Sequence, residues 1–454
     1  SRNTSSLDLG YGGRVDDYGF NVNAGRTSTD GFSAMNAQQN SGVNPAKDGS
    51  SSEFISGRLD RKINANLKVG LRARVQSSAT DYDSDWYTNT TRQKFKTGSD
   101  ALGGFARLAI NDQWVSTLDV SHSNFSYRDY VDGALTTIYN TSTPNGEYDG
   151  RQNAVRWSNS YQLSNQTVAT FGVDKLSEKY AQQNTYSSGR ETLGYFAGVT
   201  STLDKFSLQM NLRHDDVNVD RVASNVSKSN NTKSSTGLFG LGYQLNTDWR
   251  LTSTVSSAFR APTAYEAYKN SLLTPETHLA QEVGITYKSE QTLAKLVYFE
   301  TSTTDAIVYK NSTYVNVGEL TNKGLEATLR ANWRGHSLKA SFVSQDPWNV
   351  SENTALTRRA RHYGSVDMSR PFGAYEVGAK AYTSGARSDM DYSTYQPVDL
   401  SGYTIWSFYA SRKIDNEWTA RVKLENAFDR QYQLAYGYNT PGRGIYATLQ
   451  YQPK

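Results

Sequence analysis

The sequence has no cysteine among its 454 residues. Disulfide frameworks, thiolate catalysis and cysteine-ligated metal sites are therefore excluded. It also lacks any apolar run approaching the eighteen residues that a membrane-spanning helix needs, and its mean hydropathy is −0.67. Charges of the two signs nearly cancel at a net +4, with no long basic run. This balance predicts no nucleic-acid partner.

Histidine is scarce and scattered, which argues against a catalytic or metal centre. The five histidines show no metal-ligand spacing, and no hydrolase-type nucleophile motif accompanies them; they are His122, His214, His278, His336 and His362. We therefore do not expect an enzyme. The N-terminus also lacks the apolar core of a signal peptide, so we expect that a signal was removed or that further sequence precedes Ser1.

The chain is instead rich in strand-like alternation and in aromatic residues. Between Leu67 and Gln76, and again between Trp418 and Glu425, apolar residues alternate with polar or charged ones. A soluble sandwich strand with one buried face shows the same alternation. Repetition along the whole chain, together with aromatic residues near strand ends, favours strands that face lipid on one side and water on the other. The sequence thus predicts an all-β fold, a transmembrane antiparallel β-barrel in contact with the lipid and lipopolysaccharide of a Gram-negative outer membrane.

Tight and long connections alternate along the chain, as periplasmic turns and extracellular loops do in bacterial barrels. Ten tight turns rich in Asn, Asp, Gly and Ser are predicted near Arg14–Asp17, Ile63–Asn66, Asn111–Gln113, Leu163–Gln166, Leu203–Lys205, Asn246–Asp248, Ser289–Gln291, Trp333–His336, Arg370–Ala374 and Asp415–Glu417. The longer connections include Asp30–Ser52, Ser77–Ala101, Tyr127–Arg151, Asn218–Ser234, Pro262–Leu279, Gln345–Thr357, Ser384–Ser401 and Asp429–Gly442. Ten connections of each kind give twenty-one strands.

An odd count is unexpected, because single-chain bacterial barrels have even strand numbers. The first connection is a tight turn, so the first strand would run inward and Ser1 would lie outside. One more strand before Ser1 would give an even count and a periplasmic start. We therefore expect about twenty-one visible strands of twenty-two.

Several segments in the second half of the chain carry recognisable motifs. Asn426–Tyr432 has the pattern N-x-F-D-x-x-Y, which is similar to the signature near the end of TonB-dependent outer-membrane receptors, and the continuation Tyr436–Arg443 resembles that of cobalamin receptors. Further segments like those of the cobalamin subfamily are Arg358–Arg361, Ser384–Arg387 with Asp391 and Tyr392, and Gly402–Trp406. Features shared with receptors more generally are Phe259–Pro262 with Thr274–Glu276, and Asn316–Gly318 with Gly324–Glu326.

The resemblance implies one receptor barrel domain over residues 1–454, from a family whose barrels have twenty-two strands, a lumenal plug domain and an N-terminal energy-coupling motif. Thr4–Arg14 resembles the family's second barrel strand, and no segment resembles the plug or the first strand. The implied function is TonB-dependent transport of cobalamin, captured by extracellular loops and moved through the lumen. The implied partners are the corrinoid and the TonB–ExbB–ExbD energy-coupling complex, and we expect a monomer.

The same resemblance implies a metal site and ligand contacts. In cobalamin receptors clustered aspartates bind calcium and order the extracellular loops, since Ca²⁺ takes six to eight oxygen ligands. The matching aspartates are Asp30, Asp48, Asp81, Asp83 and Asp85. Gly49 and Ser50 stand where a second aspartate is expected beside Asp48, so solvated loop acids are the alternative. The predicted aromatic contacts to the ligand are Tyr82, Tyr392 and Tyr395, and no redox cofactor is expected.

Three other functions remain open from the sequence. Phe259–Pro262 also occurs in haem receptors, but Asn270–Leu273 departs from their Asn-Pro-Asn-Leu motif and the only nearby histidine is His278. A siderophore receptor would share the general receptor features. A plugless passive porin-like channel would carry an inward constriction loop, which one of the long connections could supply.

Overall fold

The computed structural model describes residues 2–84, 86–137, 144–310 and 312–453. Strands dominate this part of the chain, with one short helix, α1 (Ala264–Lys269). In chain order the strands are β1 (Ser5–Val15), β2 (Tyr18–Phe32), β3 (Asp48–Lys62), β4 (Leu67–Tyr82), β5 (Gln93–Ala109), β6 (Trp114–Val131), β7 (Ala134–Leu135), β8 (Glu147–Ser164), β9 (Thr167–Gln182), β10 (Tyr186–Leu203), β11 (Phe206–Ala223), β12 (Val226–Gln244), β13 (Trp249–Arg260), β14 (Glu276–Lys288), β15 (Thr292–Lys310), β16 (Thr313–Trp333), β17 (His336–Asn349), β18 (Thr354–Ala355), β19 (His362–Phe372), β20 (Tyr375–Ser384), β21 (Arg387–Asp391), β22 (Gln396–Leu400), β23 (Tyr403–Lys413), β24 (Trp418–Glu425) and β25 (Gly444–Tyr451).

Each long strand pairs antiparallel with the next long strand along the chain, from β1 to β25. The two-residue strands β7 and β18 extend β6 and β17, and β21 pairs with β22 in a separate hairpin. Of the 25 strands, these four lie outside the main succession, which leaves 21 in the described residues. The predicted all-β antiparallel barrel is confirmed, with the predicted number of visible strands.

The two edges of the sheet approach each other at its outer end. In the described residues β1 pairs only with β2, and β25 only with β24. Arg2, just before β1, donates a hydrogen bond to the Tyr446 hydroxyl and lies 3.9 Å from the Glu425 carboxylate. These contacts bring the first and last strands together at the mouth.

All ten tight turns lie where the sequence predicts them, and four share one device. In each, the side-chain oxygen of an Asn or Asp accepts the N–H groups two and three residues later at 2.8–3.0 Å; the four residues are Asn64, Asn111, Asn246 and Asp415. Such side chains accept hydrogen bonds from backbone N–H groups that have no backbone acceptor in the turn. Three of these turns lead into Trp114, Trp249 and Trp418, which start their strands at the level of an interfacial aromatic girdle.

The register fixes which face each side chain takes. Leu59 pairs with Leu71, and both are exposed on the outer wall. The alternate residues face the lumen, where the Lys68 ammonium lies 2.6 Å from the Asp60 carboxylate. Apolar side chains therefore face lipid and charged ones face the lumen, as a membrane barrel requires.

One predicted long loop, Asn218–Ser234, is wrong, because these residues continue β11 and β12. The two strands pair up to Ala223 and Val226 and are joined by Ser224 and Asn225, both at positive φ (49° and 62°). Two such residues close a tight hairpin. Beyond the membrane the outward face meets water instead of lipid, and β11 exposes Asn218 and Asp220 there. The apolar residues of the lipid-facing side therefore end although the backbone pairing continues.

The helix α1 lies against the extended ends of these strands. It begins with a capping box in which Thr263 and Glu266 exchange side-chain-to-backbone hydrogen bonds. Its Ala267 packs with Val217 and Val219 in a small buried apolar cluster. Among the described residues, no helix has the length and apolar character needed to cross a membrane.

Candidate functional site

Two of the predicted aspartates hold the loop that follows β2. Asp48, at the start of β3, accepts the Ala34 N–H at 2.7 Å. Asp83, just after β4, accepts the Met35 N–H and the Ser33 hydroxyl, both at 3.1 Å. Carboxylates from two neighbouring strands thus fasten the same three-residue segment.

The Asp48 carboxyl lies in a crowded negative environment. Burial, together with the carboxyl groups of Asp83 and Asp81, raises the pKa of Asp48 to about 7. Asp81 itself forms an ion pair with Lys94 at 3.1 Å. Carboxylate oxygens are the donors that Ca²⁺ takes, so these residues match a hard cation in donor type. Yet no group of three or more metal-ligating side chains has metal-binding geometry in the part of the chain described, so calcium stays a prediction.

The other two predicted aspartates do not add to this contact. The Asp30 carboxylate accepts the Asn3 side-chain N–H at 2.7 Å, and Asp30 lines a neighbouring cleft with Asp81. Asp85 lies outside the described residues. The structure therefore brings together Asp48, Asp81 and Asp83, with Asp30 beside them.

A second loop, the one between β24 and β25, fastens to the segment that the aspartates hold. The Asn36 N–H donates to the Gly437 carbonyl at 2.8 Å, and the Asn439 N–H donates to the Ala34 carbonyl at 2.9 Å. The Asn439 side chain also donates to the Ser33 carbonyl at 2.9 Å. The loop segment that most resembles cobalamin receptors therefore packs on the aspartate-held loop.

Asp389 joins a third segment to this contact network. Asp389 is 1% exposed, and its carboxylate accepts the Tyr436 N–H at 2.7 Å and the Arg358 Nε–H at 2.8 Å. Burial acts to raise the pKa of Asp389, but the N–H donors of Tyr436 and Met390 and the Arg358 charge hold it below its ordinary value. We call the whole network the outer loop cluster; it comprises Ser33–Asn36, Asp48, Asp83, Arg358, Asp389 and Tyr436–Asn439.

Tyr82 belongs to a second feature, a lumenal aromatic belt near the outer ends of the strands. Its hydroxyl donates to the Asp129 carboxylate at 2.8 Å. Rings contact one another across adjacent strands with centroids 5.4–6.1 Å apart; in order they are Tyr82, Phe95, Tyr127, Tyr148, Tyr180 and Tyr186. The strand register puts these rings on the same face as the lumenal Lys68. We call this set the aromatic belt.

Arg221 ends the aromatic belt, and the sequence did not single it out. Its guanidinium carbon lies 3.4 Å from the Tyr186 ring centroid and 4.9 and 5.6 Å from those of Tyr265 and Tyr268. The residue is 7% exposed, and its Nε has no acceptor in the described residues. Lys228 lies over the Tyr268 ring at 5.0 Å. Rings thus stabilise a buried cation that has no carboxylate partner in the described ranges.

A family model for the TonB-dependent receptor-like β-barrel matches residues 1–427. The chain belongs to this family. The receptor is accordingly an integral protein of the Gram-negative outer membrane. The family consists of receptors and transporters that bind ligands and couple to TonB, not of enzymes.

The solved structures that resemble the receptor align with 99% of its residues. Because their sequence identity is low, the likeness shows the fold alone. The ferric-catecholate import receptor Fiu of E. coli K12 has a TM-score of 0.79 at 12% identity over 79% of its chain. The FrpB iron transporter of Neisseria meningitidis has 0.80 at 14% over 79%. The ferric enterobactin receptor PfeA of Pseudomonas aeruginosa has 0.80 at 15% over 77%.

The remaining predicted contacts, Tyr392 and Tyr395, lie at the tip of the hairpin formed by β21 and β22. They are 60% and 73% exposed. The Arg358 guanidinium lies 5.4 Å from the Tyr392 ring centroid, so this ring adjoins the outer loop cluster. No ring contact in the described residues joins either tyrosine to Tyr82.

Proposed function

We propose that the receptor transports cobalamin or a related corrinoid, captured by its extracellular loops and moved through the barrel lumen. The observation that carries this proposal is the outer loop cluster, in which the segments resembling cobalamin receptors contact one another. Arg358 and Tyr436 meet at Asp389, and Asn439 reaches Ser33. Loops tied together in advance lose less entropy when they capture a large, rigid ligand.

Calcium is the ordering ion in this proposal. Asp48, Asp81 and Asp83 would supply its carboxylate oxygens, with Asp30 and Asp85 as further contributors. Burial and the neighbouring carboxyl groups raise the pKa of Asp48, and the ion would offset both by placing a positive charge beside the carboxylates. Its role is structural, because it would fix the loop after β2 against β3 and β4.

The aromatic belt supplies the apolar contacts in this proposal. Tyr82 lies at the end of the belt that adjoins the aspartates, and Tyr392 and Tyr395 lie on the exposed hairpin. Tyrosine rings combine apolar area with a polar hydroxyl, which suits the mixed apolar and amide surface of a corrinoid. Energy for release into the periplasm would come from TonB–ExbB–ExbD, and we expect the receptor to act as a monomer.

Binding of radiolabelled cyanocobalamin to the purified receptor, with calcium or with a chelator, tests this function. We expect submicromolar binding that calcium strengthens. The double variant Asp48→Asn, Asp83→Asn should weaken calcium-dependent binding by roughly ten-fold or more. Asp204→Asn is the matched control, because Asp204 lies in a periplasmic turn at φ 50°, which asparagine tolerates. Planar-bilayer conductance without any binding would contradict the proposal and favour a passive channel.

A ferric siderophore is the second candidate, and Arg221 is the observation that favours it. A buried cation flanked by tyrosine rings suits an anionic aromatic chelate. Solved structures of similar fold include a ferric-catecholate import receptor and a ferric enterobactin receptor. In the same assay, this candidate predicts ferric-catecholate binding that Arg221→Gln weakens and Asp48→Asn leaves unchanged. The corrinoid proposal predicts cyanocobalamin binding that Asp48→Asn weakens and Arg221→Gln leaves unchanged.

A further inference from the structure

The periplasmic end of the outer wall carries a contiguous basic patch. Arg334, Arg370 and Arg412 lie over the rings of Trp333, Phe372 and Tyr375 at 5.0, 5.0 and 5.1 Å. Arg370 also contacts the His336 ring nitrogen at 3.5 Å. We call these three arginines, His336 and the three rings the basic rim patch.

Among the described residues, the arginines of the basic rim patch have no anionic partner. All three are exposed, and none forms an ion pair with a carboxylate in the described ranges. The strand register places Arg370 and Arg412 on the lipid-facing side, opposite Val377 and Tyr375. A cation on that face is tolerated only near the membrane interface, where phosphate groups are available to it.

An apolar groove runs along the outer wall directly above this patch. Its volume is about 670 Å³, within the range of small-molecule sites. Both small and larger apolar residues line it; the small ones are Ala294, Ala327, Ala340, Gly364 and Ala381, and the larger ones include Ile285, Leu296, Leu329, Phe342 and Val366.

Patch and groove lie at the depths that one lipid molecule spans. Ala340, which lines the groove, pairs with Val366, four residues along β19 from Arg370. At about 3.4 Å per residue, roughly 14 Å of strand separate these groove residues from the Arg370 backbone. Half of the hydrocarbon core is roughly 15 Å thick. A headgroup on the patch would therefore place its acyl chain in the groove.

We propose that the basic rim patch and the groove above it form a binding site for one anionic phospholipid of the periplasmic leaflet. The phosphate accepts hydrogen bonds from Arg334, Arg370 and Arg412, and one acyl chain fills the groove. Charge complementarity identifies the occupant. A second copy of the receptor related by symmetry would bring arginines against arginines, and lipopolysaccharide carries its phosphates in the opposite leaflet. The proposal is independent of the transported ligand.

Native mass spectrometry of the detergent-purified receptor, titrated with defined lipids, tests this site. We expect dioleoyl-phosphatidylglycerol to bind more tightly than dioleoyl-phosphatidylcholine. Arg334→Gln, Arg370→Gln, Arg412→Gln together should weaken the phosphatidylglycerol complex roughly hundred-fold, at about five-fold for each arginine. The matched control Arg61→Gln, Lys62→Gln, Lys205→Gln removes the same charge at the same end of the barrel, and it should change affinity only a few-fold.

Filling the groove separates a lipid from other occupants. Ala340→Phe should weaken binding of dioleoyl-phosphatidylglycerol but not of the short-chain dihexanoyl form, because only the long chain reaches Ala340. Heat-dependent migration on gels checks that each barrel is folded, and Arg370→Gln alone serves if the triple variant fails this check. The proposal would be overturned if both triple variants lost the same affinity for phosphatidylglycerol, or if phosphatidylcholine bound as tightly as phosphatidylglycerol. It would also be overturned if Ala340→Phe left binding of the long-chain lipid unchanged, or if the receptor formed a dimer that the patch variant abolished.

Discussion

Asp48 connects the geometry of one loop to the charge of its neighbours. Its carboxyl group accepts the Ala34 N–H, and burial, together with the nearby carboxyl groups of Asp83 and Asp81, raises its pKa to about 7. The protonated form of Asp48 therefore stabilises the calcium-free loop. This stabilisation is fully present below the ordinary pKa of 3.8 and is lost as the pH rises through about 7.

We predict that the calcium-free loop after β2 is better protected from hydrogen exchange at acidic than at alkaline pH, after correction for intrinsic exchange rates. The reason is that burial disfavours the ionised form of Asp48, which also repels Asp83 and Asp81. Asp48→Asn keeps an acceptor for the Ala34 N–H but cannot ionise, so it should abolish the dependence. An unchanged dependence in this variant would show that another group is responsible.

Asp389 gives a second prediction for a single residue. Asp389→Ala removes the acceptor of the Tyr436 N–H and leaves the Arg358 guanidinium without its carboxylate. We expect a local loss of about 2 kcal/mol, since a buried acceptor is lost but Arg358 is partly solvated. Limited trypsin digestion should cleave faster after Arg387 and Arg430. Asp399→Ala, an exposed change in the same hairpin, is the control, and equal cleavage of both variants would contradict the assignment.

The hairpin of β11 and β12 carries the prediction at the scale of the element. Asn225 stands at φ 62° in its two-residue turn, where a β-branched residue is strained. Asn225→Val should destabilise the hairpin tip by about 1 kcal/mol, while Asn225→Gly should not. Faster trypsin cleavage after Lys228 in the valine variant alone is the expected result. If trypsin cleaved the valine and glycine variants at the same rate, the conformation of the turn would not control how readily the hairpin tip opens.

Strand positions within the membrane could be predicted because one face must be apolar and the turns need special residues. The alternation in β4 and β24 and the Asn turns at Asn64 and Asn111 are therefore visible in the sequence. The outer ends of β11 and β12 were not, since their outward face meets water instead of lipid and carries Asn218 and Asp220 in place of apolar residues. The predicted aspartates converge in part, and calcium binding by them stays a prediction.

The aromatic belt and Arg221 could not have been predicted from local patterns. Arg221 contacts Tyr186 and Tyr265, which are distant in the sequence, and only the register of successive strands brings them to one face. A signal does exist in retrospect: tyrosines such as Tyr148 and Tyr180 occupy lumenal positions near the outer strand ends. Recognising this signal requires knowing in advance which alternate residues of each strand face the lumen.

At the scale of the whole molecule, the two ends of the barrel carry different chemistry. The outer mouth holds the outer loop cluster and the aromatic belt, where the carboxyl groups of Asp48 and Asp389 fix loops from distant parts of the chain. The periplasmic rim holds short Asn turns and exposed arginines over aromatic rings. This division fits the two proposals, in which loops at the outer mouth capture the ligand and the periplasmic rim binds a phospholipid.

The hydrogen-exchange footprint of cyanocobalamin on the calcium-loaded receptor tests the central claim most directly. Protection is predicted in the segments of the outer loop cluster, in the hairpin of β21 and β22, and around Tyr82, with no change in the periplasmic turns. A ferric catecholate should leave these segments unprotected. A footprint that is absent with cyanocobalamin but appears with a ferric catecholate around Arg221 would contradict the corrinoid assignment.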